Sequence, residues 1–164
     1  MCVIRPALDN DFDTIWPIFH QVVRQADTYP YPSDISREEA FKIWMVPPVR
    51  SYLAYERYTT VGTYYIKPNQ PGQGAHVANA GFMVDPVYRG HGIGRLMGEH
   101  AIEEARRLGY LAMQFNLVVS SNRGAVALWK KLGFGIVGTL PSAFRQSGGD
   151  LVDAYIMYQD LRQV

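Results

Sequence analysis

The sequence has little cysteine, little net charge and no long apolar run, and each of these limits the class of protein to expect. The 164 residues include one cysteine, Cys2, so no internal disulfide can form and we expect a reducing compartment, the cytoplasm. The formal net charge is only +1, which gives no reason to expect a nucleic-acid or acidic-membrane partner. No apolar run is long enough to cross a bilayer, and no basic-then-apolar leader opens the chain.

Two common phosphate-binding motifs are missing from the most glycine-rich turn, which runs from Val84 to Arg95. A dinucleotide fingerprint, G-x-G-x-x-G, fails because Arg95 and Met97 stand where the third glycine is needed. A P-loop fails because Gly94 is followed by Arg95 and Leu96 rather than by lysine and a hydroxyl residue. The turn is therefore neither of these nucleotide sites.

What the turn does contain is a strand, a flexible bend and a helix start in direct succession. The apolar run Ala80–Val84 leads to Pro86, and glycines follow at positions 90, 92 and 94. Glycines permit positive φ and close approach of a ligand, and the first N–H groups of a helix have no internal partner. The pattern favours a phosphate site. The alternative is a turn that only joins a strand to a helix.

Hydrophobic periodicity predicts the element order β-α-α-β-β-β-α-β-α-β-β, one mixed α/β domain over residues 1–164. Pro17 must lie in the first turn of the first helix or kink it. Ser36 and Glu39 form a capping box before the second helix. His100 falls on the apolar stripe of the central helix, which indicates packing rather than catalysis. The expected strands are 2–5, 51–56, 61–66, 76–84, 111–119, 134–139 and 151–158.

A proline–tyrosine segment, Asp27–Ser33, separates the first two helices. Its two prolines impose extended backbone and exclude a helix. Such a segment is either a surface connector or a loop that overhangs a substrate pocket.

Two stretches together resemble the signatures of the GCN5-related N-acetyltransferase (GNAT) family. The first is Arg89-x-x-Gly92-x-Gly94, and the second runs from Asn122 to Phe134 and ends in Gly-Phe. The resemblance implies a mixed, mostly antiparallel central sheet flanked by helices. It also implies acetyl-CoA as the co-substrate, no metal, and a homodimer as the family's frequent assembly.

The resemblance also assigns coenzyme-binding residues. The strand before the glycine turn would bind the pantetheine arm through its backbone, and the turn would wrap the pyrophosphate. Asn122 would meet the pantetheine region, although it also reads as a simple helix cap. Lys130 or Lys131 would meet the 3′-phosphate or face solvent. The implied set is Phe82, Met83, Val84, Arg89, Gly90, His91, Gly92, Ile93, Gly94, Arg95, Asn122 and Trp129.

Both acid–base residues of the usual family pattern are replaced in this chain. The tyrosine that often protonates the leaving thiolate aligns with Trp129, whose indole N–H is only a donor, so Trp129 is packing or a wall of the coenzyme site. The glutamate base falls on Asn79, which takes no proton. A strand N–H, that of Val84, would then stabilise the oxyanion. The candidate proton acceptors that remain are His76, Asp153 and Tyr155.

Asn116 is a polar residue inside the apolar strand 111–119. A buried amide without a partner costs about 1–3 kcal/mol, so we expect Asn116 to have a partner or to face the site. The run 116–118, with Asn122 and Trp129, is similar to the family branch that includes the fungal acetyltransferase of proline analogues such as azetidine-2-carboxylate. That similarity would make Asn79 and Asn116 a polar pair at the point of acetyl transfer.

The leading hypothesis is an acetyl-CoA-dependent N-acetyltransferase that acts on a small amino-acid-like or other small amine. A non-catalytic acyl-CoA sensor or adaptor is the second, motivated by the missing glutamate and tyrosine. Acetylation of proteins or peptides is the third.

Overall fold

A computed structural model describes residues 1–162 of the chain. Its secondary structure follows the predicted order of eleven helices and strands, with three short 3₁₀ turns between them. The strands and helices are β1 Val3–Pro6, α1 Phe12–Arg24, α2 Arg37–Met45, β2 Arg50–Glu56, β3 Thr59–Pro68, β4 Val77–Val84, α3 Ile93–Arg107, β5 Ala112–Val119, α4 Arg123–Lys131, β6 Gly135–Arg145 and β7 Leu151–Asp160.

All seven strands form one sheet in the order β1-β2-β3-β4-β5-β7-β6. Every neighbouring pair is antiparallel except β4 and β5, which are parallel. The predicted mixed α/β fold with a mostly antiparallel sheet is therefore confirmed.

The parallel pair β4–β5 separates partway along its length. Val77–Asn79 pair with Ala112–Gln114, and the pairing stops there within residues 1–162. Beyond that rung, Ala80–Val84 pair only with β3 on their other side. One edge of the second half of β4 is therefore open in the middle of the sheet, directly before the glycine turn.

Two apolar cores lie on opposite faces of this sheet. Helices α1 and α2 cover one face, where Phe19 and Trp44 pack against Leu53, Tyr65 and Met83. The other core contains Met97 and Ala101 of α3, Trp129 of α4, and the strand residues Tyr64 and Phe115. The alternation of side chains along β4 thus sends odd-numbered residues to the α1–α2 face and even-numbered residues to the α3–α4 face.

Local sequence signals predicted the start of α2. The position of Pro17 within α1 and the end of the sixth strand became clear only from the structure. The Ser36 capping box is present in full, as predicted. Helix α1 begins at Phe12, so Pro17 lies in its second turn rather than its first. The prediction that the sixth strand ends at Thr139 was wrong, because β6 continues to Arg145. It is an edge strand, where a register shift between Leu140 and Phe144 accommodates Pro141 and Ser142, and the pairing to β7 resumes at Phe144.

No helix among residues 1–162 is long and apolar enough to span a membrane. Within the same residues, no three His, Cys, Asp or Glu side chains are grouped as metal ligands would be.

Candidate active site

The glycine turn has the backbone geometry that its sequence predicts. Gly90 and Gly92 both have φ of 80°, in the left-handed region, and Gly92 is the N-cap of α3. The first helical hydrogen bond runs from Leu96 N–H to Gly92 O, so the N–H groups of Ile93, Gly94 and Arg95 have no partner within the helix. These donors lie at the positive end of the α3 dipole, which suits an anion.

The two arginines of the glycine turn donate hydrogen bonds to other side chains at the surface. Arg89 donates to Gln25 Oε1 at 2.8 Å, and Arg95 donates to Glu99 Oε1 at 2.7 Å. Both arginines and His91 are exposed, so a bound anion can reach them from solvent. Arg95 must share its charge between Glu99 and any phosphate.

The open edge of β4 presents its even-numbered residues. Leu111 N–H donates to His76 O at 2.9 Å, so the even-numbered backbone groups point toward β5. The backbone N–H and C=O of Phe82 and Val84 therefore face the gap where the strands separate. Met83 points its backbone groups toward β3 instead, so it offers the gap none of the hydrogen bonds that the family resemblance implies for this strand.

A tyrosine from the α1–α2 segment occupies part of this open edge. Phe82 N–H donates to Tyr29 Oη at 2.7 Å, and Tyr29 Oη donates to Phe82 O at 2.7 Å. Burial, then the neighbouring Tyr65 and Tyr31, raise the pKa of Tyr29 well above its ordinary value, so the hydroxyl stays protonated. With Phe82 engaged in this way, Val84 N–H is the donor of β4 nearest to the glycine turn.

The α1–α2 segment also lines a surface depression, and the lining residues do not include those of the gap. A cavity of about 360 Å³ lies between Tyr31, Pro32 and Ile35 on one side and α2 on the other. Sequence reasoning identified this segment but missed Tyr29 itself. The two partners are 53 residues apart, and no local pattern records that contact.

Asn79 is buried and has two hydrogen-bond partners at the last rung before the strands separate. Its Oδ1 accepts from Tyr65 Oη at 3.1 Å, and its Nδ2 donates to Gln114 O at 3.0 Å. Its side chain points to the α1–α2 face, as do those of its register partners Lys67 on β3 and Gln114 on β5. Asn79 thus forms the floor of a polar surface beside the gap.

Asn116 has hydrogen-bond partners, as one of the two expectations requires, and its side chain is exposed. Its Oδ1 accepts from Gln114 Nε2 at 2.9 Å, and its Nδ2 donates to Asn69 Oδ1 at 2.7 Å. Asn116 lies at an irregularity of β5 between Phe115 and Val118. It shares the face of Asn79, but the structure links the two only through Gln114, so they are not a directly bonded pair.

The three candidate proton acceptors lie in different settings. His76 is exposed just before β4. Asp153 is exposed and its carboxylate accepts from Ser142 N–H at 2.9 Å, so it holds β6 against β7. Tyr155 is partly buried, pairs with Val118 in the sheet and packs against the α3–α4 core.

Trp129 forms a wall on the α3–α4 side of the gap. Its ring centroid lies 4.7 Å from that of Phe82 and 4.8 Å from that of Phe115, so it bridges the two separating strands. Asn122 accepts from Ala125 N–H at 3.3 Å and caps α4, in line with the simpler of its two readings. His100 is packed as predicted, with Nδ1 2.5 Å from Tyr64 Oη. Burial lowers the pKa of His100.

Comparison with known proteins identifies this architecture. The model of the Acetyltransferase (GNAT) family matches residues 12–134. N-acetyltransferase aca1 of Schizosaccharomyces pombe is 34% identical over 151 residues, which are 82% of this chain and 72% of aca1. L-amino acid N-acetyltransferase AaaT of Escherichia coli is 29% identical over 157 residues, 94% of this chain and 95% of AaaT.

Solved structures agree with these relatives. A GCN5-related N-acetyltransferase from Kribbella flavida superimposes with a TM-score of 0.92 at 39% identity, with 97% of each chain covered. The structure of yncA from Salmonella typhimurium, solved with its cofactor acetyl-CoA, superimposes with a TM-score of 0.87 at 20% identity and covers 99% of this chain and 95% of its own. The chain therefore belongs to the Acetyltransferase (GNAT) family and is an acetyl-CoA-dependent acetyltransferase.

Proposed function

We propose that this acetyltransferase acetylates the amino group of a small, amino-acid-like substrate. The observation that carries the proposal is the separation of β4 from β5 directly after Asn79. The gap has a glycine turn with free N–H groups at one end and a polar surface that includes Lys67, Asn79 and Gln114 at the other. It can therefore hold a diphosphate-bearing donor and a small polar acceptor side by side. The names of AaaT and of a phosphinothricin acetyltransferase from Sinorhizobium meliloti support the same substrate class.

In this proposal the donor lies along the open edge of β4. The pyrophosphate meets the N–H groups of Ile93, Gly94 and Arg95, and the pantetheine arm follows the strand toward Asn79. Asn122 and Trp129 border its path. The thioester carbonyl accepts from Phe82 N–H where Tyr29 yields its place, and Val84 N–H, which is nearer to the glycine turn, meets the pantetheine arm.

The acceptor enters from the α1–α2 face as a neutral amine. Its nitrogen attacks the thioester carbon, the C–N bond forms, and the C–S bond breaks to release coenzyme A. The nitrogen loses one proton and the sulfur gains one, so no net proton is consumed. Holding both reactants in place supplies about 7–11 kcal/mol of barrier lowering, which exceeds the contribution of a dedicated base. Asn79 and Asn116 act here as hydrogen-bonding groups that orient the amine.

Thiol release from acetyl-CoA tests the acceptor class. We expect release with free amino acids or small amines and little with peptides that carry the same side chains. Release only with peptides would favour protein acetylation instead. Binding of acetyl-CoA without thiol release across a broad panel of amines would favour the role of a non-catalytic adaptor. That role is motivated by Asn79 and Trp129, which stand where the family pattern has an acid–base glutamate and tyrosine.

A further inference from the structure

We propose that Lys67 binds the carboxylate of the acceptor and so selects α-amino acids over simple amines. The inference rests on the proposed function and names the feature of the substrate that the site recognises. Lys67 lies near the end of β3 and is partly buried. Its Nζ is 5.4 Å from the ring centroid of Tyr65, whose hydroxyl donates to Asn79.

The charge of Lys67 is unmatched in the part of the chain that the structure describes. The carboxylates of residues 1–162 that form ion pairs do so with other cations, and none lies within ion-pairing distance of Lys67. A partly buried lysine buries its aliphatic stem and keeps the ammonium available to solvent or to a ligand. A ligand carboxylate would complete the pair.

Several side chains around Lys67 are amides, which can donate hydrogen bonds to a carboxylate. Lys67, Asn79 and Gln114 form one row across three adjacent strands on the same face. Gln114, Asn116 and Asn69 add amide donors at its edge through the hydrogen bonds described above. An ammonium with amide N–H groups around it can hold one small anion while adding no negative charge that would repel it.

The position of the row sets the length of the substrate. The row is the last paired rung of β4 and β5, and the gap opens at the next residue, Ala80. One residue along a strand spans about 3.3 Å. A carboxylate held at the row therefore places an amine a few ångströms away at the closed end of the gap, which matches the spacing within an α-amino acid.

The coenzyme's phosphates lie too far along the strand to be the anion at Lys67. Val84, where β4 reaches the glycine turn, is five residues beyond Asn79, or about 16 Å along the strand. The pyrophosphate site and the Lys67 row are thus at opposite ends of the gap.

Paired substrates test the proposal, each pair having the same side chain with and without the carboxylate: phenylalanine with phenethylamine, methionine with 3-(methylthio)propylamine, and histidine with histamine. We expect Lys67→Gln to lower kcat/KM about 10- to 100-fold for the amino acids, mainly through KM. For the simple amines the change should stay below about twofold, because they never engage the charge. Lys67→Arg should recover most of the loss, and Arg162→Gln, at an exposed cation after β7 that pairs with Asp160, is the matched control.

A second probe works on the unaltered enzyme. 3-Phenylpropanoate, which has the carboxylate but no amine, should compete with phenethylamine in the wild type and lose that effect in Lys67→Gln. Equal losses on both members of each pair, or no loss on either, would overturn the assignment of Lys67 while leaving the acetyltransferase proposal intact. Failure of the wild type to acetylate any free amine would instead overturn the proposed function itself.

Discussion

At the scale of single residues, the Tyr29 hydroxyl is the contact that most affects the candidate site. It takes the place of a strand partner at the open edge of β4, where it satisfies both backbone groups of Phe82. A buried backbone N–H is costly to leave unpaired. The segment that covers the acceptor side is therefore held by the same strand that would carry the donor.

Removing that hydroxyl should destabilise the fold measurably. Tyr29→Phe leaves Phe82 N–H without its partner, and we expect unfolding free energy to fall by about 1–3 kcal/mol. Urea denaturation measures this loss. Tyr58→Phe is the matched control, because Tyr58 is fully exposed at 102%, and it should change stability by less than about 0.5 kcal/mol. Equal effects of the two substitutions would show that the Phe82 contact contributes nothing.

Glu104 links α3 to β2 and gives a pH-dependent contribution to stability. It accepts from Tyr52 Oη at 2.7 Å and from Arg107 Nε at 2.7 Å. The bond from Arg107 is the main cause that lowers the pKa of Glu104 from 4.5 to about 2. Because the folded-state pKa is below the unfolded one, this contribution is complete above pH 4.5 and is lost as the pH falls toward 2.

Unfolding free energies measured at a series of pH values test whether the contribution of Glu104 is lost as the pH falls. The advantage of the wild type over Glu104→Gln should be constant near neutral pH and shrink between about pH 5 and pH 2. An advantage that is independent of pH over that range would mean that the carboxylate charge is not what stabilises the link.

At the scale of elements, the packing of α4 onto α3 depends on one glycine. A Cβ added at Gly98 would lie 2.6 Å from Leu132 Cδ1 and 3.0 Å from Trp129 Cζ3. The missing side chain lets α4 bring Trp129 against Phe82 and Phe115. Gly98 therefore fixes the wall of the gap.

Two glycine-to-alanine substitutions in helices should then have opposite effects. Gly98→Ala should destabilise by about 1–2 kcal/mol, because overpacking outweighs the better helix propensity of alanine. Gly124→Ala, where the new Cβ meets nothing within 4 Å, should be neutral or stabilise by up to about 1 kcal/mol. Thermal denaturation of both variants decides this, and a stabilised Gly98→Ala would contradict the close approach of the two helices.

At the scale of the whole molecule, the sequence predicts whatever depends on local chemistry. Glycine spacing, the Ser36 cap and hydrophobic period predict the order of the elements and the geometry of the turn before α3. The separation of β4 from β5 has no local signal, because both strands have ordinary apolar sequences. The partnership of Tyr29 with Phe82, the exposure of Asn116 at a β5 irregularity and the row that includes Lys67 all arise from strand register, which is a property of the assembled sheet.

The central claim is that the glycine turn and the open edge of β4 together hold acetyl-CoA. A melting curve with and without acetyl-CoA tests it most directly. At a hundredfold excess over Kd, ligand binding adds about 2.7 kcal/mol, or roughly 5–10 °C in Tm for a chain of this size.

We expect that rise for the wild type and none for Gly92→Glu, which places a strained, negative side chain among the phosphate-binding N–H groups. Gly109→Glu is the matched control, because Gly109 has φ of 87° and open space around it at the other end of α3. That variant should keep the wild-type rise. An unchanged wild-type Tm, or an equal rise in Gly92→Glu, would contradict the account.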